Sequence, residues 1–128
     1  MYADAEAVVV AYLTAAVPSL AGVSVELPND LLQHLPYVRV TRVGGGDDYI
    51  TDSALVDIDV FGSTRVQASD AARSVHNSMM HLRHTSVNGV LIDLVETQTG
   101  PSWVNWQDEN IQRYVMSYRI DSRVVASP

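Results

Sequence analysis

Cysteine is absent from this chain, and so is lysine. Without a thiol there is no disulfide framework, no thiolate zinc or iron–sulfur site and no cysteine nucleophile, so a bound metal would need histidine and carboxylate ligands. An intracellular setting is the expectation. Without an ammonium group there is no P-loop and no Schiff-base chemistry. Positive charge is scarce altogether: eight arginines stand against fifteen acidic side chains, a formal net charge of −7. Surfaces that hold phosphate backbones or anionic lipid depend on clustered Lys and Arg, so nucleic-acid and membrane binding are not expected. Long apolar runs are missing too. No stretch approaches the roughly 18 residues of a membrane span, and residues 1–18 carry Asp4 and Glu6 where a leader would be basic. With no repeat, low-complexity tract or linker, residues 1–128 are expected to form a single domain. A chain of this length buries roughly two-thirds of the surface it exposes unfolded.

What is present is a run of periodic segments. Over residues 3–16, Ala5, Val8, Val9, Tyr12, Leu13 and Ala16 recur at helical spacing, and Pro18 stops the pattern. A short extended piece is expected at 23–26, and a polar connection with room for one helical turn at 28–36. Residues 37–43 alternate, with Tyr37, Arg39 and Thr41 on one side and Val38, Val40 and Arg42 on the other. Gly44-Gly45-Gly46-Asp47-Asp48 breaks the alternation, which resumes with Val56, Ile58 and Val60 against Leu55, Asp57, Asp59 and Phe61. Thr64 and Gln67 have the spacing of a capping box. The helix they announce keeps Ala68, Ala71, Ala72, Val75, Met79 and Leu82 on one stripe and Asp70, Arg73, Asn77 and His81 on the wet side. After a turn at 85–89, Val90, Ile92 and Leu94 mark a strand face, residues 97–110 read as irregular, and 111–123 alternate again. There Tyr114, Met116, Tyr118 and Ile120 oppose Arg113, Val115, Ser117 and Arg119.

The order predicts an α+β fold: a mixed, largely antiparallel sheet of four to five strands with two main helices on one face. Asp57 and Asp59 on one strand and Arg113 and Arg119 on another would pair across the ladder if those strands are neighbours.

Catalytic and metal signatures are weak. His76, His81 and His84 crowd one helix without a carboxylate to complete a site, and Asp47, Asp48 and Asp52 lack the order of a calcium loop. None of the usual nucleophile-elbow, zinc-helix or dinucleotide motifs occurs. No enzyme activity, cofactor or metal is expected. Two long loops remain as candidates for contact with partners. One is the glycine-rich, acidic segment with Gly45, Gly46, Asp47, Asp48 and Asp52; the other carries Trp103 and Trp106, of which one is expected to cover the core and the other to anchor an interface. As a loop, the acidic segment should tolerate replacement of its three aspartates by alanine at a cost of about half a kcal/mol.

Taken in order, several residue groups resemble the tail terminator proteins of long-tailed bacteriophages, particularly those infecting actinobacteria. They are Leu35-Pro36-Tyr37-Val38-Arg39-Val40, Val43-Gly44-Gly45, Asp52 before Val56-Asp57-Ile58-Asp59-Val60-Phe61-Gly62, an alanine-rich helix, and Gly100-Pro101 leading to Arg113-Tyr114 and Tyr118. The resemblance implies a structural virion protein, assembled in the host cytoplasm. Such a protein forms a six-membered ring at the head-proximal end of the tail, caps the tube of major tail protein and presents a surface for the head's connector or stopper. It implies no catalytic residues. DNA would traverse the ring without specific binding, since an acidic channel repels phosphate. A head-to-tail stopper or adaptor of the phage neck is the alternative. Asp57, Asp59, Arg113 and Arg119 join the two loops as candidate subunit or tube contacts.

Overall fold

Both helices start where a short polar side chain meets an apolar stripe. In the computed structural model, which describes residues 4–47 and 51–124, helix α1 (Ala5–Ala16) begins at Asp4, whose carboxylate accepts from the Ala7 amide at 3.0 Å. That bond satisfies one of the amides a helix start leaves unpaired. Ala5, Val8, Val9 and Leu13 form its buried side; Ala3 lies outside the described residues. Helix α2 (Arg65–Met80) is capped by Thr64, which accepts from the Gln67 amide at 3.1 Å, while Gln67 reaches back to the amide of Ser63 at 2.6 Å. Ala68, Ala72, Val75 and Met79 are buried, and Leu82 continues the stripe just beyond the last turn. Ala71 is only partly buried.

The strands are β1 (Gly22–Ser24), β2 (Tyr37–Asp47), β3 (Asp52–Gly62), β4 (Ser86–Val87), β5 (Val90–Val104) and β6 (Gln112–Val124), in the order β1-β2-β3-β6-β5-β4. A single 3₁₀ turn, Leu31–Gln33, sits in the connection between β1 and β2. β1 pairs with β2 in parallel and every other pairing is antiparallel. β3 and β5, joined through α2, therefore run parallel on either side of β6. One core takes Val8, Val9 and Leu13 of α1, Val75 and Met79 of α2, and Val40, Ile58, Met116 and Tyr118 of the sheet. The predicted α+β class holds. The sheet has six strands instead of four to five because β4, two residues long, is closed onto β5 by Asn88-Gly89, whose φ angles are 51° and 78°. Asn-Gly is a strong hairpin turn signal; two residues are too few to show alternation.

Two expected loops are strand in part, over residues 44–47, 52–53 and 97–104. The β2–β3 ladder continues through Gly44↔Leu55, Gly45↔Ala54, Gly46↔Ser53 and Asp47↔Asp52, with a bulge between Arg42 and Gly44. The glycines adapt the strand to a close partner: Gly45 has φ 105°, and a Cβ there would overlap the Ser53 carbonyl oxygen. β5 likewise runs on to Val104, and Gly100-Pro101 is skipped in the register between Thr99 and Ser102. Proline is tolerated there because a bulge asks no ladder hydrogen bond of it.

Gly62 ends β3 against the first turn of α2, where an added Cβ would lie 2.6 Å from the Ala68 nitrogen and 2.8 Å from its Cα. Backbone cannot step aside as a side chain can, so Gly62→Ala should cost about 1–3 kcal/mol. Met79→Ala leaves a cavity between α2 and the sheet and should cost about 2–5 kcal/mol. Thermal melts check both, and an unchanged midpoint in either variant contradicts the packing described.

Candidate functional site

Strand alternation puts Asp57 and Asp59 of β3, Arg113, Val115 and Ser117 of β6, and Arg39 and Thr41 of β2 on the sheet face turned away from the helices. With Val43 they line one shallow depression. Asp59 is 8% exposed and accepts from Arg39 Nε at 2.9 Å and Arg39 Nη2 at 2.8 Å. The Arg39 guanidinium lies 5.7 Å from the ring centres of Phe61 and Trp106. Asp57 accepts from the Ser117 hydroxyl at 2.7 Å. The predicted pairing of these aspartates with Arg113 and Arg119 is not made. β3 and β6 are neighbours, but their register sets Asp57 opposite Ser117 and Asp59 opposite Val115. Arg39 stands directly across from Asp59 on the other side and takes it.

Arg113 instead lies over the Trp106 ring at 5.2 Å, with its Nε buried and without a hydrogen-bond partner. Arg119 turns to Asp121 two residues on, donating from Nε at 3.3 Å and Nη2 at 3.0 Å. Burial pushes the Asp121 carboxyl up. The hydrogen bonds from Arg119 and from Ser53, with the Arg119 charge, outweigh it and leave the group below the ordinary carboxylate range.

The acidic hairpin tip is partly structural. Asp52 is 4% exposed and holds Arg42 through two 2.8 Å bonds. The Arg42 amide donates to Glu6 of α1 at 2.8 Å, which ties the hairpin to the first helix. Gly45 and Gly46 are exposed, Asp47 ends β2 opposite Asp52, and Asp48 lies outside the described residues. The two tryptophans divide. Trp106 packs edge-on against Phe61 with ring centres 4.9 Å apart, in a small second cluster with Leu31 and Ile111. Trp103 is 38% exposed on β5, donates to Gln112 Oε1 at 2.9 Å, and carries Arg65 4.7 Å above its ring.

The helix histidines have local duties: His76 Nδ1 is 2.6 Å from the Tyr118 hydroxyl, and His81 Nδ1 is 2.7 Å from the Asn77 carbonyl. Burial raises the Tyr118 hydroxyl pKa, so it stays protonated. Among the described residues no group of three His, Asp or Glu converges as metal ligands would. The carboxylates of the sheet face are held by arginine or serine, an arrangement that fixes strands and presents surface.

A family model described as phage tail termination protein matches residues 1–115. The chain belongs to that family. It is a structural protein of the phage tail, as the order of residues in the sequence suggested. Among solved structures, 11 chains match. One, described as the virion of a native gene transfer agent particle, covers 93% of this chain and 87% of its own, with a TM-score of 0.58 at 16% identity. At that identity the likeness is one of fold. No curated protein sequence matches the chain.

Sequence reasoning passed over Arg39. The signal was an arginine alternating with valines on a strand, a position that asks for a carboxylate across the ladder. It also took Asp52 for a loop acid whose loss would hardly change stability. Because Asp52 is a buried partner of Arg42, Asp52→Ala alone should cost about 1–3 kcal/mol by removing the carboxylate that the guanidinium grips, in place of the half kcal/mol expected of a loop. Denaturant unfolding of that variant decides between the two figures. The Asp121 carboxyl is depressed in the folded state, so its contribution is complete above about pH 4 and lost as pH falls through the folded value. The stability gap between wild type and Asp121→Asn should therefore narrow as pH falls below about 4. A gap independent of pH contradicts the assignment.

Proposed function

We propose that this tail protein closes into a homo-oligomeric ring, a hexamer, on the head-proximal end of the tail tube. It stops addition of the major tail protein and offers the surface on which the head's connector or stopper docks. Membership of the tail termination family is the observation that carries this reading. Three features of the chain support it. The sheet face with Asp57, Asp59, Arg113 and Arg119 has no helix over it, yet mixes half-buried apolar and charged side chains as interfaces do. The β2–β3 hairpin exposes Gly45 and Gly46 near its tip, where Asp52, opposite Asp47, is held by Arg42. The formal charge of −7 suits a ring that DNA crosses without adhering. The sheet face and hairpin tip are assigned to the tube or the neighbouring subunit, and no catalytic step is involved.

Electron microscopy of the purified chain with tail tubes should show rings on one tube end only, and capped tubes should not lengthen when tube protein is added. Attachment to the portal complex with none to tubes would make the protein a stopper. Val43 and Leu55 are exposed on the sheet face at 56% and 38%. Val43→Asp with Leu55→Asp should shift stability by about half a kcal/mol or less and weaken capping about tenfold or more. Normal capping by the folded double variant removes the sheet face from the contact.

A further inference from the structure

Two surfaces at one end of the sheet, on its opposite faces, are complementary to each other. β3 ends there at Gly62 and β6 begins at Gln112. On the helix side, Arg65, Val66, Ser69, Asp70, Arg73 and Tyr114 line a shallow depression. Val66 is 70% exposed, and Trp103 extends this surface beneath Arg65. Of the eight arginines, Arg39, Arg42, Arg119 and Arg123 are paired with carboxylates. Arg65, Arg73, Arg83 and Arg113 have no carboxylate partner among the described residues, and the first two share this surface. Their field is felt locally: the hydrogen bond from Arg65 lowers the Tyr114 hydroxyl pKa, burial opposes it, and Ser69 and the charges of Arg65 and Arg73 add to the lowering.

On the other side, Trp106 leans on Phe61 and forms one wall of a cleft of about 370 Å³ with Leu31, Leu32 and Ile111. Leu32 is 48% exposed. Asp30, 3.0 Å from His34 Nε2, and Asp108 line this cleft, exposed Glu109 follows Asp108, and Arg39 and Arg113 lie 5.7 and 5.2 Å from the Trp106 ring. Exposed Val66 is therefore an apolar knob flanked by guanidinium groups, and the other surface is a cleft of mixed apolar and polar lining flanked by carboxylates.

We infer that the knob of Arg65, Val66 and Arg73 seats in the Leu32–Trp106 cleft of a second copy of this chain, with Asp30 and Asp108 facing the arginines. The two patches differ and lie on opposite faces, so the contact is heterologous. Each subunit uses its knob on one neighbour and its cleft on the other, which closes into a ring when the rotation per contact allows. The planar arginine fork fixes that rotation better than a point charge would. This contact rests on the ring proposed above and names the surfaces that build it.

Charge reversal tests it. Arg65→Glu with Arg73→Glu makes an acidic knob facing an acidic cleft; Asp30→Arg with Asp108→Arg makes a basic cleft facing a basic knob. Each double variant should reduce ring formation about tenfold or more, because juxtaposed like charges oppose association. The measurement is sedimentation of the full chain, with microscopy on tail tubes, and circular dichroism verifies the fold. An equimolar mixture of the two double variants should restore rings, since they can alternate around an even-membered ring with every contact matched. The chain carrying all four substitutions should also form rings. A misfolded variant restores nothing in mixture, so rescue separates a lost contact from a lost fold. Rings at wild-type levels from either double variant, or no rescue in the mixture and in the fourfold variant, overturn the contact while leaving the ring intact. Wild-type chain that forms no ring either alone or on tubes overturns the ring itself.

Discussion

Strand β3 is the constraint on which the rest of the molecule depends. It is paired along its whole length on both edges, with β2 on one side and β6 on the other. Its alternate residues lie in two different environments. Val56, Ile58 and Val60 are fully buried under the helices, while Asp57 and Asp59 between them look the other way. A slip of one residue would drive both carboxylates into the apolar core, so burial fixes the register of all three strands at once. The Arg39–Asp59 and Ser117–Asp57 bonds then reinforce that register from the outer face.

From that strand the molecule acquires its division of labour. The inner face is closed by α1 and α2, whose positions are set by the Asp4 and Thr64 caps and by the tight passage from Gly62 into Ala68. The outer face has no second layer except at one end, where Phe61, Trp106, Leu31 and Ile111 gather. For a structural protein of the phage tail this asymmetry has a use. On the reading proposed above, the open sheet face and the tip of the β2–β3 hairpin are left to meet other proteins of the tail.

The inner face was readable from the sequence because its signals are local. Helical spacing identified Val75 and Met79, and period-two alternation identified Ile58, Met116 and Tyr118, each from neighbours within a few residues. The same method misjudged residues 44–47, 52–53 and 97–104. Glycine and proline report what a chain segment permits by itself, whereas a partner strand and a bulge decide whether it remains in the ladder. It also missed the pairing of Asp59 with Arg39, since alternation tells which face a charge occupies and not which strand lies beside it.

Composition and order alone determined the absence of thiol and lysine chemistry, the acidic balance, the α+β class, the two helices and the family resemblance. These follow from residue identity and short-range periodicity. Tertiary structure decided the rest: the short edge strand β4 and the continuity of the long hairpins, the burial of Asp52 against Arg42, the exposure of Trp103 and enclosure of Trp106, and the placing of basic and acidic surfaces on opposite sides of one sheet end. Each of those depends on strand order and register, which join residues tens of positions apart, and burial of the whole core selects them.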